Sequence, residues 1–230
     1  LDSKIYEYMP QLLKNYGNDV LLAFTINVPL AYAMNIFGGY ENGLVAMAQR
    51  TEEFKLVYME LCRRTASFLK TGSLLGMQCV WITQYYAGAD TISPGMYREV
   101  VLPGEKFLFQ EARNLNLKTM YWFLGDLMPI LKDLLEVRPD ALVLEPGRKG
   151  YVIDVGVIRK TAGNDVGLCG FPDEQHMVDG NRKGISDAVQ QQIRTAGSGP
   201  LAMTTPILKA DVDESTVDFF IDEVHKYKIS

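Results

Sequence analysis

The sequence predicts a parallel α/β fold of the (β/α)8 TIM-barrel type, incomplete, with about six βα units present. Three observations carry this. Short apolar runs alternate with helix-length periodic segments along the whole chain. The runs are apolar almost throughout, as strands of a helix-covered parallel sheet are. Six such runs are legible where a closed barrel needs eight, which leaves an open doubly wound sheet or a barrel lacking two units, and an opening helix with no strand before it favours the second.

The opening helix is predicted from Ile5, Met9, Leu12, Leu13 and Tyr16, with Gly17 placed to end it. Residues 20–26 form the first strand and 29–37 a short helix closed by Gly38 and Gly39. Thr51, followed by Glu52 and Glu53, marks the start of a long helix running to Gly72, with acidic charge at the positive end of its dipole. Its expected buried face is Phe54, Val57, Leu61, Thr65 and Phe68. The second strand begins at Cys79 and empties into a polar, Gly-rich loop, the working end of a βα unit. Residues 96–115 are helical, with Pro103 expected to kink or split them. Strands follow at 117–124, 141–144, 166–169 and 201–205, and helices at 127–135, 151–162, 185–195 and 214–227. No composition shift or linker interrupts residues 1–230, so a single domain is expected.

With 47% hydrophobic and 22% charged residues the chain is of ordinary globular composition. A net charge of −5 and a pI near 5.2 leave no basic stripe for nucleic acid. The longest uncharged run, 20–37, is broken by Asn27, Pro29 and Asn35 and lacks a basic flank, which argues against a membrane span. Cys62, Cys79 and Cys169 are odd in number and widely spaced, and read as free thiols in a reducing, cytoplasmic setting, two of them in core strands. The chain begins at Leu1 rather than Met and is expected to be a fragment or a processed product. A homodimer is left open.

In parallel α/β folds the active site gathers at the carboxyl ends of the strands. There the sequence places Asn27, Gln84, Tyr85, Tyr86, Trp122, Asp126, Glu145, Asp173, Thr204 and Thr205. Asp126 and Asp173 also precede helices and suit capping, Asp90 suits a turn, and the tyrosines suit a sealed core edge. Glu145 stands apart, because it ends a buried run and is followed by a turn, not a helix start. Burial would raise its pKa and suit it to proton transfer, with Lys149 and Tyr151 near enough along the chain to share its mouth. The competing reading pairs Glu145 structurally with Arg148 or Lys149. The sequence has no dinucleotide fingerprint, P-loop or nucleophile elbow; Gly197-Ser198-Gly199 precedes a strand, the wrong context. Neither His176 nor His225 has a Cys or His neighbour at metal spacing, so no protein-held metal is expected.

Four segments resemble the uroporphyrinogen decarboxylase superfamily, which includes methyltransferases acting on corrinoid proteins. They are Tyr86 to Pro94 with Pro103, Phe123-Leu124-Gly125-Asp126, Glu145 to Tyr151 with Asp154, and Gly170-Phe171-Pro172-Asp173. The resemblance implies a (β/α)8 barrel whose first part is lacking here. The positions at the strand ends, not the resemblance, supply the site expected here: Glu145 and Asp173 as catalytic groups, with Asn27, Gln84, Tyr85, Tyr86, Trp122, Asp126, Lys149, Tyr151 and Thr204 around the substrate. Trp122 and Leu124 stand where the family's zinc methyltransferases carry a His-x-Cys pair, and 201–206 holds no cysteine. The arginines and Asp that decarboxylases use in their N-terminal units have no counterpart, and Pro206 falls near their late His. The expectation is a zinc-free branch with no cofactor of its own, acting on a small methylated substrate and a corrinoid carried by a partner protein. The alternatives are a porphyrinogen decarboxylase and an inactive binding homologue.

Overall fold

A computed structural model describes residues 8–145, 150–170, 174–204, 208, 210 and 212–227. The chain divides into two compact units, Leu1–Asp140 and Ala141–Ser230.

In the first unit, α1 (Tyr8–Tyr16) leads to β1 (Ala23–Asn27), α2 (Leu30–Ile36), α3 (Tyr40–Gln49) and α4 (Thr51–Leu74). Then come β2 (Cys79–Gln84), the single turn α5 (Pro94–Met96), a π-helical turn (Tyr97–Val101) and α6 (Leu102–Asn114). The unit closes with β3 (Lys118–Phe123), a 3-10 turn (Met128–Ile130) and α7 (Leu131–Leu135). β1 pairs with β2 and β2 with β3, all parallel, with Ile26 opposite Ile82 and Ile82 opposite Tyr121. Strand alternation sends Phe24, Ile26, Val80, Ile82, Tyr121 and Phe123 to the helix side. Phe109 of α6 meets the Tyr121 ring edge-on at 4.8 Å. The other face carries Thr25, Asn27, Trp81, Thr83, Met120 and Trp122, with the two indoles edge-on at 5.9 Å.

The long helix buries Phe54, Tyr58, Cys62, Leu69 and Gly72, while Phe68 is exposed. The seam is thus turned from the one the sequence predicts, and the reason is close approach. A Cβ on Gly104 of α6 would lie 2.4 Å from the Tyr58 ring and 2.7 Å from Cys62 Sγ, so the glycine lets the two helices touch there. Thr51 is the first helical residue, not the cap: its Oγ1 donates back to the Met47 carbonyl at 2.9 Å, joining α3 to α4. Helix α3 itself was not legible in the sequence. It seats on α2 through Gly43, where a Cβ would lie 2.5 Å from Met34 Cβ. Pro103 disturbs its helix without breaking it. Proline has no N–H and crowds the carbonyl four residues back, and that stretch is a π-helical turn ending at Val101, with α6 starting at Leu102. Ser93 Oγ accepts from Met96 N at 3.1 Å to start that segment.

Among the described residues β1 pairs on one side only. Along it lies a groove of about 340 Å³ lined by Phe24, Asn27, Tyr32, Phe68 and Leu75.

The second unit holds β4 (Ala141–Val143), α8 (Val155–Ala162), β5 (Gly167–Gly170), α9 (Glu174–Val178), α10 (Arg182–Ala196), β6 (Leu201–Met203) and α11 (Glu214–His225). Its strands are parallel, β4 to β5 and β5 to β6. Met177, Ile185, Val189 and Phe220 make its buried core. Each such side chain contributes roughly 1.5–3 kcal/mol by leaving water. Asp154, Asn181 and Asp213 cap α8, α10 and α11 through their side chains. The buried Arg159 donates to the carbonyls of Ala196, Gly163, Val166 and Pro200 at 2.7–2.9 Å. It thereby ties the end of α8 to the segment before β6. Among the described residues no helix is long and apolar enough to cross a membrane.

Candidate functional site

Because β1, β2 and β3 are parallel, their carboxyl ends form one rim in the first unit. Asn27 ends β1 and is exposed. Its register partner Thr83 is buried, and the Thr83 carbonyl accepts from Val28 N at 2.8 Å. The sequence reading missed Thr83, since only the register shows that it shares a face with Asn27 and Trp122. Trp122 is half-buried, and its indole N–H is buried with no hydrogen-bond partner. A donor in that state is incomplete without an acceptor from a ligand or water.

Tyr85 and Tyr86 follow β2. Tyr86 has φ 65°, in the left-handed region that a bulky side chain rarely adopts, at a cost of roughly 1–3 kcal/mol. Its ring lies 5.0 Å from Tyr40 and 6.2 Å from Tyr85, with planes tilted by 57° and 44°. Gly38 and Gly39, at φ 99° and 102°, turn the chain so that Tyr40 opens α3 at this rim.

Asp126 serves the loop. Its Oδ1 accepts from Met128 N at 3.1 Å, its own N–H donates to Asp90 Oδ1 at 2.9 Å, and its carbonyl accepts from Ala89 N at 2.8 Å. The loops after β2 and β3 are stapled here. Gly88 is required at the crossing, because a Cβ on it would lie 2.3 Å from Asp90 Oδ1 and 2.7 Å from Asp126 N.

Gln84, expected at the substrate, faces the helices instead. It is fully buried, and its Nε2 donates to Glu105 Oε1 at 2.6 Å. Tyr97 donates to the other carboxylate oxygen at 2.5 Å. Burial pushes the Glu105 pKa up, against the hydrogen bonds from Gln84 and Tyr97 that hold it down. The Tyr58, Tyr97 and Tyr121 hydroxyls are raised in turn, by burial first and then by neighbouring groups that include the Glu105 charge. No pattern in the sequence marked Glu105, since it sits among charged residues of an amphipathic helix.

In the second unit Glu145 follows β4 and is half-buried. Leu144 before it extends the ladder, its N–H donating to the Cys169 carbonyl at 2.8 Å. Tyr151 is half-buried ahead of α8, and Thr204 N donates to the Gly170 carbonyl at 2.9 Å beyond β6. Lys149, Asp173 and Thr205 lie outside the described residues.

The thiols are chemically quiet. Burial pushes Cys62 up to about 12 and Cys79 and Cys169 up to about 11. Among the described residues no three His, Cys, Asp or Glu side chains gather as metal ligands.

Residues 3–227 match the family model described as Uroporphyrinogen decarboxylase (URO-D). The chain belongs to the uroporphyrinogen decarboxylase family. No curated protein matches it. Among solved structures it is similar to a methyltransferase from Methanosarcina mazei, at 15% identity and a TM-score of 0.75, over 96% of this chain. The chain spans 63% of that methyltransferase. The likeness establishes the fold of this family member as TIM-barrel type, and the described residues hold six parallel strands in a sheet that does not close. A protein from Sinorhizobium meliloti 1021 aligns over 97% of this chain and 92% of its own, at 10% identity and a TM-score of 0.34, too low to bear on the fold.

Proposed function

We propose that this family member carries out corrinoid-linked methyl transfer from a small methylated substrate, without a protein-bound zinc. The observation that supports it best is the charge of the first unit's rim. The connections after β1, β2 and β3, residues 28–39, 85–93 and 124–127, contain no Lys, Arg or His. Their charged groups are Asp90 and Asp126. A decarboxylase of a polycarboxylate needs cations around its substrate, whereas a methyl donor needs apolar and aromatic walls. The methyltransferase fold of the Methanosarcina mazei relative agrees with this reading.

The corrinoid would be carried by a partner protein and supplies the cobalt that accepts the methyl group. Tyr32 and Ile36, one turn apart on α2 and both exposed, would give a flat macrocycle an apolar surface to rest on, so the residues present fit it. The work of this chain is positioning and proton supply. Asn27 and the Trp122 indole N–H orient the polar part of the substrate, and the tyrosines enclose its methylated part. For the second unit, taken by itself, we assign Glu145 as the acid that gives up the proton a departing group takes up, with Lys149, Tyr151, Asp173 and Thr204 as its proposed neighbours in function. The zinc-free part of the reading is supported by Trp122 and Leu124, which stand where the zinc methyltransferases that this chain resembles carry their His-x-Cys pair.

The test is reduced cobalamin mixed with the protein and a panel of methylated amines, thiols and alcohols, followed through the cobalt absorption bands. Protein-dependent formation of methylcobalamin is expected. Carbon dioxide release from a porphyrinogen, with no methylation, would place the chain with the decarboxylases.

A further inference from the structure

We propose that Tyr40, Tyr85 and Tyr86 form a binding site for an alkylammonium group, so that the methylated substrate is a quaternary or tertiary amine. As a statement about substrate this rests on the methyl-transfer reading. As a statement about binding it rests on the three rings themselves.

The rings come from two separate connections at one rim, Tyr40 from the segment after β1 and the pair from the loop after β2. Tyr40 and Tyr86 are 45% and 44% exposed although each touches the other. Tyrosines that merely seal a core would be buried, and these two are not. The backbone of Tyr86 stands at φ 65°, a conformation that glycine would adopt without cost. A bulky ring kept there points to a use for the ring, since the turn alone would be better made by another residue.

The chemistry of the occupant follows from the surroundings. Aromatic faces attract cations through their quadrupole, and the neighbours in sequence are the acids Glu41 and Asp90, with no cation in either connection. A metal ion is a poor fit, because hard cations want several oxygen ligands and hold their water. A flat sugar or base is also a poor fit. Planes tilted by 57° and 44° make a corner and not a platform. A compact, weakly hydrated ammonium with methyl groups satisfies both the charge and the shape.

The test uses the whole chain and calorimetric titration with choline and with 3,3-dimethylbutan-1-ol, its uncharged carbon isostere. Choline is expected to bind about tenfold more tightly than the isostere, the scale of a cation–aromatic attraction. Tyr86→Leu and Tyr40→Leu should each weaken choline by about tenfold, and Tyr86→Phe should stay within about twofold, because the ring face and not the hydroxyl is used. Unchanged circular dichroism spectra and melting temperatures would show that the leucine variants are folded. Equal binding of the isostere, or full choline affinity in a folded Tyr86→Leu, overturns the proposal. Choline binding without any methyl transfer would leave this site standing and defeat the methyl-transfer reading. Transfer from a thiol or alcohol donor with no choline binding would do the reverse.

Discussion

Gln84 Nε2 donates to Glu105 Oε1 at 2.6 Å, binding the last residue of β2 to α6 inside the first unit. Glu105 is fully buried, and Gln84 and Tyr97 together supply it with hydrogen bonds at 2.6 and 2.5 Å. Gln84→Leu removes one donor and leaves the acid in place. Urea unfolding is expected to show a loss of about 1–3 kcal/mol, the cost of leaving a buried carboxyl acceptor without its donor. A loss below about 0.5 kcal/mol would mean the amide is not needed there.

The same carboxyl predicts a pH dependence. Its pKa in the folded chain lies above the ordinary 4.5, so the folded state keeps a proton that the unfolded state releases. The stability it contributes is therefore full below pH 4.5 and is lost as pH rises through the folded value. Melting temperatures of the wild type and Glu105→Gln, compared across pH, should show the wild type losing ground to the variant as pH rises. A difference independent of pH would contradict this.

Arg159 makes four bonds to backbone carbonyls in the second unit with a single guanidinium. Arg159→Lys keeps the charge and cannot span the four acceptors. We expect a loss of about 3 kcal/mol or more in denaturant titration, nearly as large as for Arg159→Ala. Rescue by lysine would show that charge alone matters.

Gly88→Ala should cost about 1–3 kcal/mol by overpacking, because the new methyl meets Asp90 Oδ1 and Asp126 N at 2.3 and 2.7 Å. It should also weaken ligand binding at the rim, since the loop that carries Tyr86 is held by that crossing. Thermal melts and choline titration measure the two effects separately.

Glu145→Gln keeps the shape of the side chain and removes its acid. Methyl transfer is expected to fall by about 100-fold or more, with stability within about 1 kcal/mol of wild type. Whole activity, or an unfolded variant, would make Glu145 a structural partner. In the same preparations elemental analysis should find zinc well below one per chain, and a chelator should leave the melting temperature unchanged.

Apart from α3 and the short α9, the order of strands and helices was legible in the sequence because it rests on local periodicity. Apolar runs such as 79–83 and the proline at 103 predict the same elements wherever the rest of the chain lies. The family was legible for the same reason, since its short motifs sit in contiguous loops. What tertiary structure alone decided is direction and company. Gln84 and Thr83 are adjacent, yet strand alternation and the α6 carboxylate send the amide into the core and leave the threonine beside Asn27. The seam of α4 runs through Tyr58 and Cys62 because Gly104, on α6 beyond β2, admits them. The tyrosine cluster likewise joins residue 40 to residue 86 through a backbone angle that no pattern encodes. Contacts between distant residues depend on register and packing, and these are settled only when the whole chain has folded.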